Sequence, residues 1–179
     1  STFVQVEGRL SSVLEGASRP GHFKGVCTVL TKLFNIVDPD LSFFGEKDYQ
    51  QALVVKKMVK DLNIPTQVVL LPTVREKDGL AMSSRNANLS PAARQKATCL
   101  YHALCAAKNL FEQGERDAEK LRATMVGVIE SPEMARLDYV SVAHPDTLEE
   151  LTVVEDRALL SLAVFFNRVR LIDNMVVES

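Results

Sequence analysis

Leu41-Ser42-Phe43-Phe44-Gly45-Glu46-Lys47-Asp48-Tyr49-Gln50-Gln51 is the stretch whose reading decides the fold. Leu41 to Phe44 reads as a short buried strand, and a helix-periodic pattern runs from Asp48 to about Leu62. Asn63-Ile64-Pro65 stops that helix before a second strand, Thr66 to Leu71. Two strands joined by a helix form a parallel, right-handed crossover. In an open α/β sheet, ligands sit beyond the carboxyl ends of the strands. Here that turn holds a glycine, a lysine, two carboxylates and two amides. Glycine lets a bound group approach the backbone, lysine is a compact charge for phosphate, and a helix N-terminus offers N–H groups to an anion. The turn therefore points to phosphate chemistry. The plainer alternative is a helix start that Asp48 caps, with its charges merely solvated.

Upstream, Thr2-Phe3-Val4-Gln5-Val6 alternates like a strand, and a short helix over Arg9 to Glu15 is expected to end at Gly16. The polar turn Ala17 to His22 precedes an amphipathic helix from Phe23 to Val37, with Val26, Val29, Leu30, Leu33, Phe34 and Val37 at helical spacing. Asp38-Pro39-Asp40 stops it. One crossover unit falls short of a full Rossmann-like sheet, so residues 1–73 are expected to form part of such a domain.

Past Pro72 the texture changes, and residues 74–179 are expected to form a second domain. Val74 to Asn86 is too polar for a core element, and Ser90-Pro91 supplies an N-cap and a first-position proline for a long helix reaching Phe111. Gly114 breaks that helix. A further helix is expected over Asp117 to Ile129, closed by Ser131-Pro132. Strands follow at Leu137–Val142, Ala158–Phe165 and Val169–Ile172, with Thr147 to Leu151 as a short connector. Helices followed by a small antiparallel sheet make an α+β domain. The fold class expected is thus α/β, the second half of a Rossmann-like domain with a parallel sheet, followed by a small α+β domain.

Composition removes several functions. The 179 residues are 46% hydrophobic, enough for a sizeable core, and the net charge of -2 gives no general pull toward nucleic acid. No apolar run approaches the ~20 residues of a membrane span, and a soluble, cytoplasmic protein is expected. Cys27, Cys99 and Cys105 lack CxxC spacing, which argues against a disulfide framework or a zinc site; Cys99 and Cys105 are expected as buried thiols. His102 and His144 have no partner at metal-ligand spacing, and neither GxSxG nor GxxxxGK[ST] occurs.

Two other polar clusters stand out. Met82-Ser83-Ser84-Arg85-Asn86 sets hydroxyls beside a guanidinium, suited to triphosphate oxygens and to charge on a transferred adenylyl group, or is simply a polar loop. Arg19-Pro20-Gly21-His22 offers a histidine that is either a catalytic acid or a structural cap.

Glu15 to Val26, Phe43 to Gln51 and Asp78 to Asn86, together with Arg170-Leu171-Ile172-Asp173-Asn174, closely resemble the pantothenate synthetase family, also called pantoate-beta-alanine ligases. The resemblance runs in the family's order and spacing along essentially the whole chain. It implies a nucleotidyltransferase-type Rossmann domain for ATP and pantoate, and a smaller lid domain. The implied chemistry joins pantoate to beta-alanine through a pantoyl adenylate, releasing pyrophosphate and AMP. By motif, Gly45, Glu46, Lys47 and Asp48 would bind ATP, with Lys47 neutralising phosphate charge. Gln51 would hold pantoate, and the Val74 backbone would contact adenine. Met82, Ser83, Ser84 and Arg85 match the family's counterpart of the KMSKS loop, whose Ser83, Ser84 and Arg85 would join Lys47 in stabilising the transition state. Mg2+ would share the pyrophosphate charge, and a homodimer is implied for the full-length enzyme.

The family also carries a Pro-Thr-Met-Gly stretch and a HIGH-type histidine pair, neither of which this sequence contains. The expectation is therefore a piece of a longer enzyme, holding part of the ATP and pantoate site and inactive alone. Two alternatives stay open: a non-catalytic binding or oligomerisation module, and another adenylyl- or cytidylyltransferase of the same superfamily.

Overall fold

The computed structural model describes residues 1–130 and 135–179. The chain divides into two compact units, Ser1–Pro72 with Asp146–Leu148, and Thr73–Pro145 with Glu149–Ser179.

In the first unit, α1 (Arg9–Ser12) and α2 (Glu15–Ser18) are single turns, followed by α3 (His22–Val37), β1 (Leu41–Gly45), α4 (Tyr49–Asp61) and β2 (Gln67–Leu71). β1 and β2 pair in parallel, Leu41 opposite Gln67 through Gly45 opposite Leu71. The strand-helix-strand crossover is present as read. α4 stops where Asn63 turns left-handed (φ 51°) and the Ile64 N–H bonds back to the Val59 carbonyl, a helix ending that asparagine tolerates better than most residues. Phe23, Cys27 and Phe34 of α3 meet Val54, Val55 and Met58 of α4, with Phe44 and Val68 of the strands packed against them.

Four expectations for this unit need correction. Thr2–Val6 joins no strand ladder among the described residues; its Val4 N–H goes instead to Thr28 Oγ1 on α3, at 3.0 Å. The expected helix over Arg9–Glu15 splits in two at Leu14, whose φ of 49° no helix admits. Gly16 lies inside α2 rather than ending a helix, and glycine is required there because a Cβ would collide with the Ser11 carbonyl. The apolar spacing on α3 also overstates its burial: Val29, Leu33 and Val37 are exposed.

In the second unit, α5 (Pro91–Lys96), α6 (Cys99–Glu112) and α7 (Ala118–Glu130) precede β3 (Ala135–Ala143), β4 (Arg157–Phe166) and β5 (Val169–Glu178). The strands form an antiparallel sheet in the order β3-β4-β5. Its core joins Leu100, Leu104 and Phe111 of α6 to Leu121, Met125 and Ile129 of α7 and to Leu160, Leu162 and Val164 of β4. Ser90 caps α5 by accepting the Ala93 N–H at 3.2 Å, with Pro91 in the first turn. Asp117 Oδ1 accepts the Glu119 N–H at 2.8 Å ahead of α7.

The single long helix expected from Ser90 to Phe111 is two helices that part at Ala97-Thr98. β5 extends to Glu178, well past Ile172, because Asp173 and Asn174 are buried inside the strand rather than ending it. Leu80 and Ala81 are buried within the segment read as too charged for a core element, and Cys105 is only half-buried. The expected stop at Ser131-Pro132 lies outside the described residues. Among those residues no helix is long and apolar enough to cross a membrane.

Candidate functional site

The Gly45–Gln51 and Arg19–His22 clusters lie in the first unit and the Met82–Asn86 cluster in the second. In the first, Gly45 ends β1 and Glu46–Asp48 form a single 3-10 turn leading into α4. Gly45 has ordinary extended angles (φ -77°, ψ 137°), so neither handedness nor strain requires glycine. A Cβ built on it meets nothing within 4 Å, which leaves open space directly over the strand end. Lys47 is half-buried in the turn. Asp48 stands at the N-cap of α4 but makes no side-chain capping bond. The helix-cap reading of this turn therefore does not describe it, and the Asp48 carboxylate stays exposed.

The two glutamines divide. Gln50 is buried and fully engaged: its Oε1 accepts the Glu15 N–H at 3.0 Å, and its Nε2 donates to the Leu10 and Val13 carbonyls at 3.0 and 2.8 Å. It stitches α1 and α2 onto α4. Gln51 is half-buried, and its amide makes no hydrogen bond among the described residues. Spacing alone does not separate them, since both lie on a stretch of α4 buried almost without interruption from Gln50 to Val55. The carbonyls that claim Gln50 come from α1 and the residue just after it, 37 to 40 residues away.

In the second unit, Val74 to Met82 forms a tight hairpin. Arg75 bridges Ala81, the Met82 N–H donates to the Val74 carbonyl at 2.9 Å, and the Glu76 N–H donates to the Leu80 carbonyl at 2.8 Å. Val74 and Met82 are exposed at its open end. Ser83 then caps a 3-10 turn over Ser84–Asn88, its Oγ accepting the Arg85 N–H at 3.2 Å. Ser84 and Arg85 are exposed, and the Arg85 guanidinium makes no ion pair among the described residues. Asn86 anchors the turn, donating from Nδ2 to the Ala81 carbonyl at 3.1 Å. The loop thus presents two hydroxyls and a guanidinium on a fixed base.

That base contains residues the motif reading passed over. Arg75 makes a two-pronged pair with Asp173, Nη1 to Oδ2 at 2.6 Å and Nη2 to Oδ1 at 3.0 Å, and Nη1 also donates to the Gly79 carbonyl at 3.1 Å. The Asp173 side chain is 1% exposed. Breaking such a pair by removing one partner costs about 3–5 kcal/mol, because the other charge stays buried. The Arg75 guanidinium also lies over the Tyr101 ring, 4.5 Å from its centroid. Tyr101 has its phenol pushed above the usual range, first by a hydrogen bond with Cys105. Beside the hairpin, Arg94 of α5 grips Asp78 with bonds of 2.7 and 3.1 Å and holds that carboxyl below its ordinary value. The carboxylate of Asp173, flanked by the apolar Leu171-Ile172 and Met175-Val176-Val177 in β5, was a signal in the sequence for this base.

Arg19 and His22 contact each other at 3.1 Å, and Gly21, not a side chain, occupies the cap position of α3. Among the described residues no three His, Cys, Asp or Glu side chains gather as a metal cage.

A parallel crossover with a polar turn at the carboxyl end of its first strand, joined to an antiparallel α+β unit, defines an α/β protein. Residues 1–176 match the family model described as pantoate-beta-alanine ligase. A pantothenate synthetase from Chloroflexus aurantiacus is 56% identical over 174 residues, covering 97% of this chain and 62% of the relative. One from Moorella thermoacetica is 53% identical over 178 residues, covering 99% and 62%. Among solved structures, a pantothenate synthetase of Thermus thermophilus superposes with a TM-score of 0.95 at 47% identity, covering 98% of this chain and 63% of that one. A pantoate-beta-alanine ligase from Francisella tularensis, solved with beta-gamma ATP and beta-alanine, gives a TM-score of 0.71 at 33% identity, covering 98% and 58%. The chain belongs to the pantoate-beta-alanine ligase family. It spans about 62% of the length of the curated relatives it matches.

Proposed function

We propose that this chain supplies substrate-holding residues for the ATP-dependent condensation of pantoate with beta-alanine. In the first step a pantoate carboxylate oxygen attacks the α-phosphorus of ATP, and the bond to pyrophosphate breaks to leave pantoyl adenylate. In the second, the beta-alanine amine attacks the acyl carbon, AMP departs with the bonding electrons, and the amine loses a proton.

The observation that carries this reading is the open strand end at Gly45, with Lys47 in the turn beyond it and Gln51 one helical turn further on, its amide unengaged among the described residues. In the first unit Gly45, Glu46, Lys47 and Asp48 hold ATP, Lys47 offsetting the charge that builds as pyrophosphate leaves, and Gln51 hydrogen-bonds pantoate. In the second unit the Val74 backbone holds adenine, while Met82, Ser83, Ser84 and Arg85 hold the triphosphate. Mg2+ bound to the nucleotide supplies further charge neutralisation on the phosphates. The Francisella tularensis ligase, solved in complex with beta-gamma ATP and beta-alanine, supports the choice of substrates.

The test is single-turnover adenylation by the full-length enzyme, with release of pyrophosphate as readout. Lys47→Ala should slow it by ~10²-fold or more, as for the loss of one transition-state donor, and an unchanged rate would refute the role. By the same reading the 179 residues alone bind substrates without turnover, and AMP formation at an enzyme's ordinary rate would overturn that part.

A second reading is favoured by one further observation. Val29, Leu33, Ile36 and Val37 of α3 and Leu41 and Phe43 of β1 are exposed apolar side chains, Ile36 to 77%, and exposed apolar surface favours association. Sedimentation of the chain at rising concentration tests self-association; a monomer throughout would count against it.

A further inference from the structure

We propose that Asp173, Arg75 and Tyr101 form a clamp that positions the Met82–Arg85 loop for ATP, which makes Asp173 and Arg75 positioning residues rather than contacts to substrate. This rests on the assignment of that loop, and of Val74, to ATP.

The geometry is specific. Val74 and Met82 are joined by a backbone bond of 2.9 Å, and Arg75 lies between them and the body of the unit. Its guanidinium has three kinds of partner at once: the Asp173 carboxylate on β5, the Gly79 carbonyl at the hairpin's tip, and the face of Tyr101 on α6. The clamp therefore ties the tip of the hairpin, through one planar group, to a strand and a helix of the second unit. Gly79 sets how close the tip can come: with φ at 91°, a Cβ there would run into the Tyr101 ring. Leu80 and Ala81 are buried beneath, and Asn86 ties the turn beyond Arg85 back to the Ala81 carbonyl.

A rigid base matters because Ser84 and Arg85 are exposed and have little else to orient them. A triphosphate-binding loop displaced by about 1 Å loses much of its effect, since donors must stand about 2.7–3.1 Å from the oxygens they serve. Only a planar guanidinium satisfies the clamp. Lysine at position 75 keeps a cation beside Asp173 but is a point charge that lacks the fork and the flat face.

Two measurements test this. In hydrogen exchange of the 179-residue chain, Arg75→Lys and Asp173→Asn should each speed the Glu76, Gly79 and Met82 amides at least ~10-fold more than the amides of α7. Equal acceleration everywhere would mean a merely structural ion pair and overturn the clamp. In calorimetric titration with Mg-ATP, Arg75→Lys should weaken binding by ~10-fold in the wild-type background and by less than about twofold beside Arg85→Ala, since the clamp acts through the loop. Equal losses in both backgrounds, or unchanged affinity despite a loosened hairpin, would overturn it. Should Arg85→Ala itself leave ATP binding unaltered, or the unaltered protein bind no ATP, the ATP assignment falls and the clamp's functional role with it. The exchange result separates that failure from failure of the clamp. Where Asp173→Asn does not fold, Arg75→Lys decides alone.

Discussion

Replacing Gln50 with leucine keeps the volume of a buried side chain while deleting three hydrogen bonds. The Glu15 N–H and the Leu10 and Val13 carbonyls lose their partner, and the Glu15 bond is buried. A buried group left unsatisfied costs about 1–3 kcal/mol. Water can reach the part-buried Leu10 and Val13 carbonyls at modest cost, so the sum is about 2–4 kcal/mol rather than three full penalties. A unit of this size shifts its thermal midpoint by roughly 4–8 °C per kcal/mol, so a drop of about ten degrees or more is expected. The neighbouring Gln51→Leu removes no bond that the described residues make, and its change should stay within about 0.5 kcal/mol. The assay is urea unfolding of both variants, followed by exchange of the α4 amides, which reports on the first unit alone. A Gln50→Leu variant as stable as wild type, or a Gln51→Leu variant equally damaged, would refute the division of labour between the two glutamines. In the complete enzyme the same pair should reverse in a pantoate-binding measurement, Gln51→Leu losing affinity at intact stability.

Gly79→Ala should destabilise the second unit by at least ~2 kcal/mol in urea, because it combines a left-handed backbone with a Cβ driven into Tyr101; a neutral result would mean the ring yields. Asp78 is held below its ordinary value of 3.8 chiefly by the Arg94 hydrogen bond. A depressed folded-state pKa adds stability above the unfolded value and loses it as pH falls through the folded one. The difference in melting midpoint between wild type and Asp78→Asn should accordingly be constant near neutrality and shrink as the pH falls below the ordinary value of 3.8, and a difference that grows on acidification would contradict the ion pair. Burial pushes the Cys99 thiol up to about 11, so iodoacetamide at about pH 8 should leave Cys99 unlabelled in native protein and label it fully in urea, as read by mass spectrometry. Fast native labelling would place that thiol at the surface.

Much of the fold was legible because its signals are local. The β1-α4-β2 crossover follows from a short apolar run, a helical period and Asn63-Ile64-Pro65, all close together in the chain, and the Ser90-Pro91 start follows from capping chemistry that needs no tertiary partner. The misreadings came where a local pattern lacked its long-range half. Thr2–Val6 has the alternation of a strand, but a strand requires a neighbour, and its backbone bonds instead to Thr28. The spacing on α3 marks an apolar face without stating how much of it will be covered, and Val37 is 65% exposed.

The candidate site divides in the same way. Residue type and order alone point to the Gly45–Gln51 turn and the Ser83-Ser84-Arg85 run as candidates, because short loops keep a lysine, hydroxyls, a guanidinium and amides adjacent, the groups suited to anions. Which of two neighbouring glutamines is consumed by the fold, and which charged residues hold the loops still, was decided only by tertiary structure. Gln50 is claimed by carbonyls up to 40 residues away, and Arg75 by a carboxylate 98 residues away. Partners at such separations meet only once β5 and the hairpin, or α4 and the α1-α2 turns, have packed, and burial then turns an ordinary polar side chain into a structural fixture.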